Sequence, residues 1–234
     1  MREKSYMVAV PSNEESIYDI KGMLERVSQV SGIKLLSHKF DKSLQLKIEA
    51  DQTEYEVKVN PIEFELPKMY RIQHFFPDID IETVENTRVG LEVAMEFSGE
   101  ALASYHLQLK VICALLANVA AVLDHSSEKI LSGRWVALAA ASSVPPAPRY
   151  IYTVQAVAGE EETCVWLHSH GLNRCGLPEL EILNTTKETY QTHYSIIETM
   201  ANRMLELEKP LTPKEPMFLA RLAADMPLVV TMVD

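Results

Sequence analysis

Glycine is scarce in this 234-residue chain: there are eight, and no two of them stand two apart. That spacing excludes the G-x-G-x-x-G turn of dinucleotide-binding folds and the phosphate cradle of a P-loop. H-E-x-x-H and G-x-S-x-G are missing as well, which removes two common signatures of zinc and serine hydrolases. Cysteine is rare and odd in number (Cys113, Cys164, Cys175), with no C-x-x-C pair. No disulfide framework follows from that, and a reducing cytosol is the expected compartment. Basic residues are outnumbered, 22 against 33 acidic, for a net charge of −11. No Lys/Arg run exceeds two residues and no basic run is interleaved with aromatics, so nucleic acid is not an expected partner. The acidity suits solubility or a basic protein partner. Long apolar runs are absent too. The longest, Val111 to Leu123, is broken by Asn118 and too short to span a bilayer. The apolar stretch in the N-terminal MREKSYMVAVPSNEES is too short for a signal peptide. The chain reads as a soluble cytoplasmic protein with no membrane partner.

What is there is alternation. Tyr6 to Val10 is an apolar run stopped by Pro11. Ser12 and Glu15 have capping-box spacing ahead of the helical stripe Ile17, Ile20, Leu24 and Val27. Ile33 to Phe40, Ser43 to Ala50 and Glu54 to Val59 read as strands, the last two joined by Asp51-Gln52-Thr53. Residues 1–62 are therefore expected to form a small βαβββ unit. Residues 63–87, with three prolines in Asn60 to Pro77, are expected to connect it to a larger unit over 88–234. In that unit Val89 to Phe97 alternates as a strand. A helix apolar over much of its circumference follows (Leu102, Tyr105, Leu109, Ile112, Leu116), and then a short strand, Val119 to Leu123. Asp124-His125-Ser126-Ser127 is placed to cap a helix carrying Ile130, Leu131, Trp135 and Leu138. Val144 to Pro148 is a stiff connection. Arg149 to Ala158 is a β run, Thr185 and Glu188 cap a long helix reaching Glu208, and Leu228 to Val233 is a last strand. That strand lies at the very end of the chain, as expected of a domain that continues beyond residue 234. Helices mixed with antiparallel meanders make the class α+β, with largely antiparallel sheets.

Chemistry gathers in residues 163 to 183, TCVWLHSHGLNRCGLPELEIL. From Val165 the run alternates, with Trp166, His168 and His170 on one face. Asn173 to Gly176 reads as a turn, and Glu179 and Glu181 share a face on the return run. A four-residue loop would set His170 opposite Glu179, His168 opposite Glu181 and Trp166 opposite Leu183. Two imidazoles and a carboxylate are donors that zinc or another divalent ion accepts. His168, His170 and Glu179 are thus the candidate metal ligands, and Glu181 the candidate general base of a metal-dependent hydrolase. Apart from that ion, no cofactor is expected. Without a metal, the same face is a contact surface in which Trp166, His168, His170, Arg174 and Glu179 meet a partner. Plain cross-strand pairing explains the residues as well, each pair contributing only about 0.2–1 kcal/mol.

The run WLHSHGLNRCGLPELEI, with DHSSEKILSGRW upstream, resembles a motif pair of a bacterial family defined only as a domain of unknown function. The matching positions are Trp166, His168, His170, Gly171, Arg174, Gly176, Pro178 and Glu179, and the resemblance covers residues 90 to 208. It carries no established activity and no residue role. Related families are suspected partner-binding or immunity-type modules beside secreted toxins, so the resemblance implies a non-enzymatic protein-binding module. The hydrolase and a structural domain of a longer polypeptide are the alternatives.

Overall fold

The strands over residues 44–50, 53–59 and 89–96 alternate apolar side chains with mostly polar ones, and the alternation decides which face of each is buried. A computed structural model describes residues 2–68, 78–158, 164–212, 214, 216–223 and 226–230. It divides into two compact units, Arg2–Ala147 and Pro148–Asp234. The class is α+β, as the alternation implies.

In the N-terminal unit the strands are β1 (Lys4–Pro11), β2 (Lys34–Phe40), β3 (Leu44–Ala50), β4 (Thr53–Glu63), β5 (Val89–Glu96), β6 (Val119–Asp124) and β7 (Lys129–Ser132). They form one sheet in the order β2-β3-β4-β5-β1-β6-β7. Every neighbouring pair is antiparallel. The β3–β4 turn is tight because Asp51 and Gln52 both take positive φ, 47° and 64°, matching the twist of a two-residue hairpin.

One face of this sheet presents Met7, Leu46, Ile48, Val57, Val59, Leu91, Val93 and Met95, all buried. Helices α1 (Ile20–Gln29) and α3 (Ala101–Leu115) cover it. Helix α3 is apolar nearly all round, and its one fully buried amide, Gln108, donates from Nε2 to the carbonyls of Val93 (3.0 Å) and Ser5 (3.2 Å). These bonds fix α3 across β1 and β5. Arg26 on α1 donates to the carbonyls of Ala114 and Leu115, both at 2.8 Å, and so closes the C-terminal end of α3.

The opposite face carries a second core at one end only. Val8, Val10, Leu123 and Ile130 project from the strands there and meet Phe64, Leu66, Ile79 and Val84. Val84 belongs to the short helix α2 (Ile81–Asn86). Asp80 caps α2, accepting from the Thr83 backbone N–H at 3.1 Å and the Thr83 hydroxyl at 2.7 Å. Those bonds hold the Asp80 carboxyl below its ordinary value, and they assign it to the backbone. A fourth helix, α4 (Gly133–Ala141), follows β7 directly.

In the C-terminal unit, β8 (Thr153–Ala158), β9 (Cys164–His170) and β10 (Glu181–Thr186) form an antiparallel sheet with β9 in the centre. Helix α5 (Tyr190–Leu207) buries Ile197, Ala201, Met204 and Leu205. The Tyr152 hydroxyl lies 3.0 Å from Asn202 Oδ1 on that helix, and Thr185 Oγ1 on β10 lies 3.1 Å from His193 Nδ1. A separate hairpin pairs β11 (Met217–Ala223) with β12 (Met226–Val230).

Several expectations are corrected. The boundary lies at Ala147/Pro148, not in 63–87, because β1 to β4 and β5 to β7 share one sheet. Phe64, Leu66, Ile79 and Val84 of the expected connection are core on that sheet's second face; residues 69–77 lie outside the described residues. Ser12 does not cap the first helix. Asn13 accepts from the Glu15 N–H to start a 3-10 turn, and Asp19 accepts from the Gly22 N–H to start α1. Ile130 and Leu131 belong to strand β7, and the helix after it is capped by Ser132, whose Oγ accepts from the Trp135 N–H at 3.0 Å. Thr185 caps nothing, because β10 runs through it. The strand expected from Arg149 starts only at Thr153. Strand β11 lies between the long helix and the expected last strand, where no strand was expected. The expected last strand is β12, and Thr231 to Val233 lie outside the described residues.

Candidate functional site

Strand β9 alternates in burial from Trp166 onward. Leu167 and Ser169 are buried, while Cys164, Trp166, His168 and His170 are half-buried on the other face. With side chains two apart on one face, their rings are set to meet. The Trp166 and His168 rings stack with centroids 4.3 Å apart and planes 17° from parallel. His168 and His170 meet edge to face, also at 4.3 Å, with planes at 74°. The three rings form a continuous ladder along the strand, in geometries that aromatic quadrupoles favour.

Register across the sheet decides what stands beside that ladder. Strand β8 places Thr153 opposite His170, Gln155 opposite His168 and Val157 opposite Trp166. Strand β10 places Glu181 opposite His168, as the sequence implies. A bulge then lets Leu183 and Asn184 together face Trp166 before Thr185 pairs with Val165. Asn184 takes φ 57°, a left-handed conformation that asparagine tolerates better than most residues. The row next to His168 on this face is therefore Val157, Trp166 and Leu183. Val157 is 41% exposed and Leu183 64% exposed. The Trp166 indole N–H is buried with no acceptor among the described residues.

Two expected members of the face are elsewhere. Glu179 does not stand opposite His170. Its carboxylate accepts from the Ser169 hydroxyl at 2.5 Å and from the backbone N–H groups of Gly171 (2.8 Å) and Asn173 (3.1 Å). The Ser169 hydroxyl in turn accepts from the Leu180 N–H at 2.8 Å. A carboxylate satisfied by three donors closes the loop 171–180 from within, on the Ser169 side of the strand. The tight four-residue turn does not form. Leu172 accepts from both Cys175 and Leu177, and Gly176, at φ 78°, ends a 3-10 turn that lengthens the connection. Arg174 sits in that turn and is only 1% exposed, with its guanidinium donating to the Ile151 carbonyl. It is a buried cation of this unit's core. Cys175 is buried beside it.

The expected metal triad of His168, His170 and Glu179 is thereby parted. Among the described residues, no group of three or more His, Cys, Asp or Glu is arranged to hold a metal ion. Glu181 remains across from His168, an exposed carboxylate beside an imidazole. His125, in the Asp124 to Ser127 break, belongs to the N-terminal unit. Burial pushes its imidazole pKa down, while Asp124, Glu92 and Glu128 pull it partly back.

The sequence reading missed Val157 and the width of the exposed row. Its available signal was the alternation of Thr153, Gln155 and Val157 in step with the strand that follows. The reading also missed a cavity of about 510 Å³ on the open part of the N-terminal sheet, lined by Lys4, Tyr6, Lys39, Lys47, Lys58 and Glu96 among others. Alternating charged residues there look like any solvated sheet face, and only the strand order makes the hollow.

Two family models match the chain. The N-terminal model of the protein of unknown function DUF4026 covers residues 5–146, and its C-terminal model covers residues 154–234. The chain belongs to the DUF4026 family. The two models meet where the fold divides, around Pro148. No curated protein and no solved structure matches the DUF4026 chain. Among its described residues, no helix is long and apolar enough to cross a membrane.

Proposed function

We propose that the C-terminal unit is a protein-binding module whose contact face is the outer side of the β8-β9-β10 sheet. The observation that carries this is the row Val157, Trp166 and Leu183. It sets three apolar side chains side by side across three strands, two of them more than a third exposed, beside the half-buried His168–His170 ladder. A solvent-facing sheet surface is normally polar, and a contiguous apolar row rimmed by polar groups marks a contact site. Tryptophan is among the residue types that dominate binding energy at interfaces, and near-neutral neighbours around it serve to exclude water. Glu181 on the rim and a net charge of −11 favour a partner with a basic border, the relation a toxin-neutralising module has to its toxin. The three cysteines are free thiols, which fits a reducing compartment such as the cytoplasm. A hydrolase centred on His168, His170 and Glu179 is the weaker reading, since the Glu179 carboxylate already accepts three hydrogen bonds from its own loop.

The test places a photoreactive benzoyl-phenylalanine at position 183 and, as control, at Tyr18, an exposed aromatic of the N-terminal unit. A discrete protein adduct formed in cells from position 183, absent from position 18 and lost on Trp166→Ala, is the expected result. Equal labelling from both positions overturns the proposal. So does about one equivalent of transition metal in the purified protein that disappears in His168→Ala/His170→Ala.

A further inference from the structure

The N-terminal sheet ends in two different ways. At one end all four residues of β7 are buried. At the other, β2 has no strand beyond it among the described residues, and both its faces are largely exposed. Its seven residues offer a row of backbone N–H and C=O groups along about 23 Å, at roughly 3.3 Å per residue.

Charge sets this end apart from the rest of the chain. Residues 31–48 hold Lys34, Lys39, Lys42 and Lys47 against a single acid, Asp41, in a protein whose acids outnumber its bases 33 to 22. Pairing to β3 puts Lys34 beside Glu49 and Ser37 beside Lys47, across a bulge at Leu35/Ser37. It also aligns Lys39, Gln45 and Lys58 in one row across β2, β3 and β4. Both edge lysines therefore lie on the outer face, where a cavity of about 510 Å³ opens, lined by Lys39 from the edge strand and farther in by Lys47, Lys58, Glu56, Glu92 and Glu96. Lys47 is paired with Glu54 at 2.6 Å, whereas Lys34, Lys39 and Lys58 have no acidic partner among the described residues. Phe40, at the end of the strand, is 59% exposed.

We infer that β2 is a docking edge for an acidic polypeptide segment, which adds to the sheet as a further extended strand. The strand's own groups supply main-chain hydrogen bonds, and alternate carboxylates of the incoming segment face Lys34 and Lys39. Lysine on an edge strand also guards against self-pairing, since a second copy sets lysine against lysine. The charges that repel a copy attract an acidic strand, so one arrangement serves both ends.

The experiment titrates the full chain into a fluorescein-labelled peptide, acetyl-Glu-Val-Glu-Thr-Glu-Val-Glu-amide, with a version carrying Lys in place of each Glu as control. Saturable binding of the acidic peptide only is expected, with slowed amide hydrogen exchange in residues 34–40. Lys34→Glu/Lys39→Glu is expected to weaken the acidic peptide by about tenfold or more and to gain binding of the lysine peptide. Should the charge reversal unfold the protein, Lys34→Gln/Lys39→Gln is expected to lose about threefold or more by the same titration. The inference is overturned by no saturation at about 1 mM peptide, the affinity range of the weakest specific contacts. It is equally overturned by affinity unchanged in both variants, by protection outside β2, or by tighter binding of a decathymidine strand than of the peptide.

Discussion

In the N-terminal unit of this DUF4026 protein both sheet faces build a core, the inner one under α1 and α3 and the outer one at its β1-β6-β7 end under Phe64, Leu66, Ile79 and Val84. In the C-terminal unit α5 buries its apolar side chains in the core, and the ladder strand keeps Trp166, His168 and His170 half-buried. Fully buried apolar side chains contribute about 1.5–3 kcal/mol each, so depth of burial sets where stability resides. The first unit has the residues to be a stable scaffold. The second has fewer, and spends apolar surface on an exposed row instead. A binding surface needs that exposure, and a scaffold does not. Each unit has one tryptophan, Trp135 in the first and Trp166 in the second, so Trp135→Phe and Trp166→Phe variants report each unfolding separately.

The comparison breaks most sharply at Gly133, where α4 leaves β7. A Cβ there would sit 1.8 Å from the Val119 carbonyl oxygen and 2.7 Å from its carbon, both backbone atoms that cannot rotate away. Gly133→Leu is expected to destabilise the N-terminal unit by about 3 kcal/mol or more, beyond ordinary overpacking. The check is a lowered urea midpoint in the Trp135 signal, with the Trp166 signal moving less. The next effect belongs to the C-terminal unit. Glu179→Ala leaves the Ser169 hydroxyl and two backbone N–H groups without their acceptor. It is expected to cost about 1–3 kcal/mol in the Trp166 transition with no change in bound metal, whereas loss of a metal ligand would lower both stability and bound metal.

These two positions also show what the sequence disclosed and what it hid. The pairing of Glu181 with His168 was legible, because strict alternation fixes faces and one correct pair fixes its neighbours. Glu179, two residues away, was not. Its role depends on a loop that turns it toward Ser169, and periodicity contains no such term. Arg174 looked like a surface cation for the same reason, since burial of an arginine depends on carbonyls brought from Ile151. Strands β2 to β5 were visible as strand patterns and β1 and β6 as short apolar runs, but the domain boundary was not. Prolines near residue 61 marked the end of a strand, and the buried contacts of Phe64 and Leu66 lie far off in sequence. Short strand β7 carries the same Ile-Leu pair as a helix start, and periodicity cannot separate the two over four residues.

Acid should weaken the N-terminal unit ahead of any general acid unfolding. His106 on α3 is 5% exposed, with Nε2 2.9 Å from the Ala139 carbonyl of α4. Burial, reinforced by Lys110, lowers its pKa below the ordinary 6.5 despite the Ala139 hydrogen bond, and burial lowers that of His125 as well. A histidine depressed in the folded state favours folding above the unfolded value. That contribution is lost as pH falls from about 6.5 through the lowered folded value, because the unfolded chain takes up protons the folded one refuses. The Trp135 midpoint is expected to drop between pH 7.5 and 5.5, and less so in His106→Gln. A midpoint constant over that range, or rising, contradicts it.

The smallest expected effect is the most informative about the division of labour. Leu183 is 64% exposed at the bulge that faces Trp166, and it adds little to the buried core of its unit. Were the row Val157, Trp166 and Leu183 simply the edge of a core, Leu183→Ser would lose a share of packing. If the row is kept for a partner, the substitution falls among surface changes, within about 0.5 kcal/mol of neutral. A Trp166 unfolding curve that overlays the parent's is therefore expected. A cost of about 2 kcal/mol, the size of a buried large-to-small change, would return this row to the core and erase the contrast between the two units at the point where it matters most.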